Sequence, residues 1–472
     1  MNIINAKMGV HNFKEDYFMS DTVVKENKMG FMSVSKLLIS MSLPMIISML
    51  VQALYNIVDS MFVAQLNEAA LTSVSLAFPI QNLMIAVAAG TGVGINALLS
   101  RSLGERKLDE ANKIASNGVL LALISSLVFA VLGGFGSHFF FAAQTDDALI
   151  VKYGTQYLTI ITVASMGVFL QVTYERLLQS TGKTIFNMIT QGTGAIINII
   201  LDPILIFGYF GLPAMGVTGA AVATIIGQFS AVLLAVFFHN KYNTEITVKM
   251  RGFKVCKHTI INIYKIGVPS IIMQSIGSLT TFSMNNILLM FSSTAATVFG
   301  VYFKLQSFIF MPVFGLTNGM IPIVAYNYGA RKKERIYATL KLSICIAVSI
   351  MIIGVIVFQA FPKTLLSMFD ASENMIAIGV PALRTISWSF IFAGYSIISG
   401  SLFQALGNGV YSMMVSIARQ LVVIIPVAFL FAKLFGLDMV WWSYPIAEIV
   451  SVIMTTFFLK RILTQKVAPL SE

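Results

Sequence analysis

Charged side chains are scarce in this sequence. Asp, Glu, Lys and Arg make up 11% of its 472 residues, whereas a soluble domain carries about 25%, so an ordinary soluble protein is excluded. Cysteine is nearly absent, and neither Cys256 in a basic loop nor Cys345 in an apolar segment has a spacing typical of a disulfide or a metal site. The four histidines are scattered, which argues against the catalytic cluster of a membrane-embedded enzyme. We therefore expect no enzymatic activity, no cofactor, and no metal site formed by cysteine or histidine.

Long apolar runs take the place of the missing charges. Hydrophobic residues make up 57% of the chain, and they recur in runs of about twenty, the length needed to cross a hydrocarbon core of about 30 Å. The first 35 residues mix both charge signs and contain no apolar signal-peptide run. The sequence predicts an all-α integral membrane protein with twelve transmembrane helices at 36–64, 70–99, 112–142, 153–177, 184–208, 216–239, 259–290, 295–325, 336–361, 375–403, 409–432 and 440–462.

The net charge of +11 reflects where the basic residues lie. Of the 31 Lys and Arg, 25 lie on the side of the N-terminus, in loops or at the adjoining helix ends. The predicted loops on the opposite side hold only Lys152, Lys363 and Lys433, and Lys304, Arg384 and Arg419 lie inside helices. Cytoplasmic loops of membrane proteins collect Lys and Arg. We therefore place both termini in the cytoplasm of a multi-pass protein of the bacterial inner membrane, and we expect no nucleic-acid partner.

The chain contains an internal repeat with a constant offset in residue number. The offset that relates Gly104 to Gly329 also relates Pro44 to Pro269. It also relates Gln179 to Gln404, Gly182 to Gly407, and the Phe-Gly-Leu sequence of 210–212 to that of 435–437. Each half holds an even number of helices, so the halves lie the same way up, as in transporters built from parallel repeats. The predicted organisation is a tail at 1–35, a lobe at 36–240, a basic inter-lobe loop at 241–258, a lobe at 259–462 and a tail at 463–472.

Two acidic residues lie inside the predicted first and fifth helices. Asp59 and Asp202 are each about six residues from the outer end of their helix, so they lie at similar depth. A carboxylate in the membrane marks an ion pathway by default, although each acid could instead bond a neighbouring helix. Asn198 is one turn before Asp202, on the same helix face. Pro203 leaves the carbonyl of Ile199 without a partner, which predicts a kink beside the acid.

Other charges within helices have plainer explanations. Glu175 near the end of the fourth helix is interpreted as an interface residue whose head reaches water, and Glu448 as the partner of a buried Arg or Lys. Glu175 and Glu448 are kept as secondary site candidates, together with Lys304 and Arg419. Lys304, Arg384 and Arg419 are interpreted as charge partners or helix locks. The repeat equivalent of Asp59 is Met284, so the acidic pair belongs to the first half alone.

Several short motifs follow one another along the chain. They are Leu43-Pro44, Ala53-Leu-Tyr-Asn-Ile-Val-Asp59, the segment 92–104, Leu178-Gln-Ser-Thr-Gly182, Asn198-Ile-Ile-Leu-Asp-Pro-Ile204, Gly219-Ala-Ala-Val-Ala-Thr224 and Gln404-Ala-Leu-Gly407. Together these motifs resemble the multidrug and toxic compound extrusion (MATE) family of membrane transporters, in its bacterial MepA-like branch. The resemblance extends from about residue 33 to residue 460.

The resemblance implies secondary active antiport, in which H⁺ or Na⁺ enters while cationic or amphipathic drug-like compounds leave. It implies a cation-coupling site at Asp59, Asp202, Asn198 and Thr224, with Thr218 as a competing alignment for the last. Relatives of another branch add acids in the seventh and tenth helices, and this sequence has none there. That difference favours coupling through the first half only.

Three other functions are weighed against antiport. A lipid-linked oligosaccharide flippase of the same superfamily would be expected to line its cleft with several basic residues, and here only three Lys or Arg lie within helices. A membrane-embedded enzyme lacks its catalytic cluster, and a channel lacks a selectivity-filter loop. We expect a monomer whose partners are small organic substrates and membrane lipid.

Overall fold

The computed structural model describes residues 27–249, 254–369 and 371–470. Within these ranges the secondary structure is helical, and the first half carries eight α-helices. They are α1 (Lys28–Phe31), α2 (Val34–Ala64), α3 (Glu68–Gly104), α4 (Leu108–Ala142), α5 (Ala148–Val163), α6 (Met166–Ser180), α7 (Thr184–Phe207) and α8 (Val217–Tyr242).

The second half continues with ten α-helices. One π-helical stretch, Ala418–Ile424, joins α15 to α16, and another, Leu463–Val467, extends α18 into the predicted C-terminal tail. The helices are α9 (Lys257–Leu289), α10 (Ser293–Gly329), α11 (Lys333–Ala360), α12 (Pro362–Ser367), α13 (Glu373–Ser387), α14 (Ser389–Ala405), α15 (Gly409–Ile417), α16 (Ile425–Leu434), α17 (Leu437–Val440) and α18 (Ser443–Ile462).

These helices account for the predicted spans. Eight continuous helices in the described ranges are long and apolar enough to cross a membrane: α2, α3, α4, α7, α8, α10, α11 and the run 409–434. The pairs α5–α6 and α13–α14 are bent by 43° and 45° and stand where the fourth and tenth helices are predicted. The less apolar α9 and α18 stand where the seventh and twelfth are predicted. The all-α membrane fold class is therefore confirmed, with eight to ten apolar spans in the described ranges and helices at all twelve predicted positions.

The repeat is visible in the backbone as well as in the sequence. Helices α3 and α10 are both 37 residues long and begin at repeat-equivalent positions, Glu68 and Ser293. Their N-caps are equivalent, because Asn67 and Ser292 each accept a hydrogen bond from the backbone N–H three residues later. After both helices an arginine has a positive φ, 58° in the first half and 59° in the second. The two halves thus repeat the same local structure.

The two halves meet through four of their helices at the end that carries the basic loops, which we call the basic end. Helix α2 packs on α10, and α3 packs on both α9 and α10. Contacts between the halves run from the helix ends at Gly104 and Gly329 to the hydrogen bond between Asn82 and Ser278. The predicted ends at 99 and 325 were too early, because the polar residues that follow stay helical and pack against the other half.

A short N-terminal segment connects the halves at the basic end. The Asn27 amide donates a hydrogen bond to Glu245 at 2.6 Å, in the segment after α8. Arg335 of α11 donates to the carbonyl oxygens of Met29 and Met32 at 3.0 and 2.7 Å. The predicted tail at 1–35 therefore includes a docked segment, while the part of it at 1–26 lies outside the described ranges.

Candidate cation-coupling site

Asp59 and Asp202 come together between α2 and α7. Each lies five residues before the last residue of its helix, Ala64 and Phe207 respectively, which corresponds to about 7–8 Å along the axis. The helices pack on each other, and the two carboxyl groups are within hydrogen-bond distance. Asp202 is fully buried. The two acids, which were predicted to lie at the same depth, are therefore in direct contact.

Asn198 and Thr224 extend the pair toward α8. With the Asn198 amide oriented so that all its atoms are satisfied, its nitrogen donates to Asp202 Oδ2 at 2.9 Å. Its oxygen then accepts from the backbone N–H of Thr224 at 2.9 Å and from the hydroxyl at 3.3 Å. Of the two threonines that the sequence left open, Thr224 is thus hydrogen-bonded to Asn198.

Three neighbours of the acids were missed in the sequence. Tyr55 lies one turn before Asp59 on α2, near Thr224, and this spacing was a signal that could have identified it. Tyr157 of α5 is buried and accepts a hydrogen bond from Gln81 of α3 at 3.1 Å. Nothing local in the sequence relates Tyr157 or Gln81 to the acids, because only the packing of α3 and α5 brings them there.

The charge balance of this cluster calls for a proton or a cation. Neither acid forms an ion pair with a described Lys, Arg or His, and Asp59 Oδ1 is buried without a hydrogen-bond partner. Two carboxylates in contact, away from water, do not both remain ionised unless a positive charge lies between them. The arrangement is suited to capture and release of one proton or one small cation.

The kink predicted at Pro203, beside Asp202, stays a prediction. Helix α7 continues through Pro203 to Phe207 and ends at Gly208, whose φ is 77°. Pro203 has no N–H to donate to the carbonyl of Ile199, so α7 lacks that hydrogen bond although the helix continues.

Glu175 does not reach water as its interpretation as an interface residue required, and that interpretation was wrong. Its side chain is 5% exposed and lies between α6 and α7. It accepts hydrogen bonds from Gln171 at 3.0 Å, Thr190 at 3.3 Å and Gln191 at 3.0 Å. These donors are uncharged polar residues, which a search for charge partners does not detect.

The charged residues of the second half fall into two groups. Arg419 donates to Glu448 Oε1 at 2.6 Å, so the structure contains the ion pair suggested for Glu448. Lys304 and Arg384 are exposed. Among the described residues neither forms an ion pair, and the Lys304 ammonium lies 5.9 Å from the centre of the Phe369 ring. The interpretation as a charge partner therefore fits Arg419 alone.

This fold and site define a multi-pass membrane protein made of two repeated helical lobes, with an acidic pair inside the helices of the first. The profile of the MatE family matches residues 44–204 and 269–430. The two matches begin at the repeat-equivalent prolines, Pro44 and Pro269, and together cover more than half of the chain. The chain therefore belongs to the MatE family.

Curated relatives match over most of their length. The chain is 29% identical over 426 residues to the multidrug export protein MepA of Staphylococcus haemolyticus (strain JCSC1435), covering 90% of this chain and 93% of that protein. It is 28% identical over 428 residues to MepA of Staphylococcus aureus (strain MSSA476), covering 88% and 91%.

Solved structures share the fold. A MOP superfamily transporter from Pyrococcus furiosus superposes with a TM-score of 0.87 at 24% identity, covering 93% of this chain and 98% of that one. A crystal structure of MATE in complex with MaL6 gives the same TM-score and coverage at 25% identity. The two-lobed MATE fold is therefore confirmed.

Proposed function

We propose that this protein is a secondary active multidrug efflux transporter that exchanges cationic or amphipathic small organic compounds for H⁺ or Na⁺. The observation that carries the proposal is the contact between Asp59, whose Oδ1 is buried, and the fully buried Asp202, a pair that needs a proton or cation to balance its charge. The MepA relatives are named as multidrug export proteins. Family membership and this pair together support ion-coupled export.

The arrangement of the lobes supports alternating access. The halves are in contact at the basic end, where α2 and α3 pack on α9 and α10. If these contacts separate while the opposite ends approach, a cleft between the lobes would face first one side of the membrane and then the other. Substrate and ion then need only bind the two states with different affinities to be exchanged.

The coupling site we propose comprises Asp59, Asp202, Asn198 and Thr224. In the state described here, the acids, the amide and the hydroxyl form one connected set across α2, α7 and α8. A bound proton or Na⁺ changes the charge at the end of α7, beside Pro203. That change can favour one lobe conformation over the other, and both ions remain candidates for the coupling role.

The proposed location is the bacterial inner membrane, with the basic end and both termini in the cytoplasm. The charge asymmetry of the loops supports this orientation. Membrane lipid and small organic substrates are the proposed partners, and we propose a monomeric transporter with no enzymatic activity, no cofactor and no nucleic-acid partner.

A lipid-linked oligosaccharide flippase is the alternative. It would be expected to present several basic side chains to the cleft. Of the three Lys and Arg assigned to helices in the second half, Arg419 is paired with Glu448, and Lys304 and Arg384 are exposed. This distribution favours the efflux transporter.

Everted membrane vesicles that contain the protein test the proposal. A lipophilic cationic dye should be accumulated when a proton gradient or a sodium gradient is imposed, and dissipation of the effective gradient should release it. Vesicles without the protein are the control. Dye movement that neither gradient affects would refute ion-coupled export.

A further inference from the structure

The structure contains a second buried carboxyl group that the coupling site does not use, that of Glu175. It lies five residues before the end of α6 at Ser180, near the basic end. Asp59 and Asp202 lie five residues from the opposite ends of their helices. The first lobe therefore carries buried acids near both membrane faces.

The surroundings of Glu175 are rich in oxygen and poor in positive charge. Gln171 and Thr190 donate to its Oε1, and Gln191 donates to its Oε2. The amide oxygens of Gln191 and Asn187 are buried and have no hydrogen-bond partner. Asn187 is 1% exposed, and its nitrogen donates to the Glu175 carbonyl at 2.9 Å. Carboxylate and amide oxygens are the ligands that a small hard cation prefers.

The only described charged group that acts on Glu175 is its neighbour Arg176. The Arg176 guanidinium is directed elsewhere, because its Nη1 donates to Gln179 at 2.6 Å and to Asn318 of α10 at 3.0 Å. It forms no ion pair with Glu175. A carboxylate left in this position without a direct counter-charge would be costly, and a proton or cation would remove that cost.

A polar helix face joins the two acidic levels. The buried residues of α7 recur every three or four positions, and all but the last are polar or glycine. Since Asp202 and Thr190 are twelve residues apart, the two levels are separated by about 18 Å along the axis. The buried residues of this face are Thr184, Asn187, Thr190, Gly194, Asn198, Asp202 and Ile206.

This polar face is closed between the two levels. At Gly194, α7 packs directly on α8, so that a β-carbon on Gly194 would lie 3.1 Å from the carbonyl oxygen of Gly227 and 3.2 Å from the side chain of Ala231. The two acidic sites are therefore separate in this conformation. Gln171 and Gln191 are partly exposed, so two of the side chains that contact the Glu175 carboxylate are accessible from outside the protein.

We propose that Glu175, with Gln171, Thr190, Gln191 and Asn187, forms a second monovalent-cation site, for H⁺ or Na⁺, at the basic end of the first lobe. The coupling ion is bound at this second site on its path between the Asp59–Asp202 pair and the solution at the basic end. The proposal rests on the proposed antiport function and adds a second station to its ion path.

A binding experiment tests the site without requiring transport. The Asp59→Asn, Asp202→Asn double variant, which lacks the first site, is purified and studied by infrared difference spectroscopy of the carboxyl groups. Spectra are taken on adding Na⁺ at constant pH, and on changing pH at constant ionic strength. A carboxyl band that responds to one of these changes, and that disappears when Glu175→Gln is added, is the expected result. Which of the two changes produces the band identifies the ion.

Two further variants guard against a misfolded protein. If the Glu175→Gln protein does not elute as a single species, Thr190→Val and Gln191→Leu, which remove neighbouring oxygens, should each shift or weaken the same band. Glu334→Gln alters an exposed carboxylate at the basic end and is the matched control. A response that is the same with and without Glu175→Gln would overturn the proposal.

Transport measurements in proteoliposomes supply the second readout. The Glu175→Gln variant should retain exchange of a cationic dye at zero gradient while losing gradient-driven accumulation by about tenfold, a typical strength of coupling between sites. Glu175→Asp should restore part of it. Normal gradient-driven accumulation by Glu175→Gln would contradict the proposal. Absence of dye exchange in the unaltered protein would instead refute the proposed function and leave the infrared result to decide the site.

Discussion

Gly104 and Gly329 lie against each other's helix ends in a reciprocal contact. A β-carbon on Gly104 would collide with the carbonyl oxygen of Tyr326, and one on Gly329 with that of Arg101. The repeat relates Arg101 to Tyr326 by the same offset that relates the two glycines, so this is one contact made twice around a pseudo-twofold axis. It marks where the lobes touch at the basic end.

The same relationship continues along the interface. Gly90 of α3 packs on the backbone of Ile271, where a β-carbon would lie 2.8 Å from the nitrogen. Its repeat equivalent Gly315 packs on Ile46, at 2.5 Å from Cα, and Ile46 and Ile271 are themselves repeat equivalents. Small residues allow helix backbones to approach closely in membranes. Closure of the basic end therefore depends on glycines in both halves.

Larger residues in this seam should open the basic end. Gly94 leaves no space for a β-carbon beside the backbone of Ile263, so Gly94→Val should disfavour the closed state by about 1–3 kcal/mol, the usual cost of overpacking. The measurement is labelling of a single cysteine at Ser42, which is buried on α2 in the seam, after removal of Cys256 and Cys345. Labelling by a hydrophilic thiol reagent should increase about 5–150-fold.

Gly136→Val is the control for this prediction. Nothing lies within 4 Å of a β-carbon at Gly136, so this variant should label like the parent. Equal labelling of the Gly94→Val and Gly136→Val proteins would show that the seam does not control access.

The hydroxyl of Thr224 should matter where that of Thr218 does not. Thr224→Val keeps the shape of the side chain but removes the hydrogen bond between the hydroxyl and Asn198, worth about 0.5–1.5 kcal/mol. We expect the concentration of H⁺ or Na⁺ that half-saturates dye transport to change by about 2–10-fold. Thr218→Val serves as the matched control, and a larger effect from it would favour the competing alignment.

The Arg419–Glu448 pair should contribute to stability rather than to coupling. The guanidinium is 27% exposed and the carboxylate 7% exposed. Breaking a buried pair costs about 3–5 kcal/mol, and partial exposure reduces that to about 1–3 kcal/mol. Arg419→Met and Glu448→Gln should each lower the thermal unfolding midpoint in detergent, and the double variant should lose less than the sum. Arg384→Met, at an exposed site, is the control, and strict additivity would contradict the pairing.

The loop charges predict which end of the molecule faces the cytoplasm. Lys254, before α9, is exposed at the basic end, and Asp146 is exposed at the opposite end. Asp146 is preferable to Asp147, whose side chain caps α5. In intact cells, an impermeant thiol reagent should label a single cysteine at 146 far more than one at 254. Stronger labelling at 254 would invert the orientation.

Much of the fold could be predicted because a membrane helix needs a run of about twenty apolar residues, and such runs are visible in the sequence. Helix ends were less accessible to prediction. Arg101 and Tyr326 look like loop residues in the sequence, yet α3 and α10 continue past them, because the two ends pack on each other. The sequence alone does not show that a polar helix end will be covered by the other lobe.

Some residues of the candidate site could likewise be predicted from the sequence, and others could not. Asp59, Asp202 and Asn198 could be found because helix rise and helix period place them at one depth and on one face. Tyr157 and Gln81 could not, since they approach the acids only through packing of α5 and α3. Glu175 was misjudged for a related reason. Its donors Thr190 and Gln191 come from another helix and carry no charge.

The Asp59–Asp202 pair leads to the most direct prediction about coupling. In Asp59→Asn or Asp202→Asn, an amide replaces one carboxyl group, so the pair no longer needs a proton or cation to balance two negative charges. Each single variant, and the double variant, should lose gradient-driven accumulation of a cationic dye, by at least about 100-fold for the double variant because no acid remains to bind the ion. Each should still insert and elute as a single species, since Asn can retain hydrogen bonds to the same neighbours.

Glu448→Gln is the matched control for loss of a buried carboxylate. Glu448 is buried like Asp202, but it lies in the second lobe and is paired with Arg419. It should be less stable yet still couple transport to the gradient. The measurement is dye accumulation in proteoliposomes under an imposed H⁺ or Na⁺ gradient, normalised to protein content. Near-normal accumulation by the Asp59→Asn, Asp202→Asn protein would place the coupling site elsewhere, and a loss in Glu448→Gln as large as in the double variant would show that the second lobe takes part.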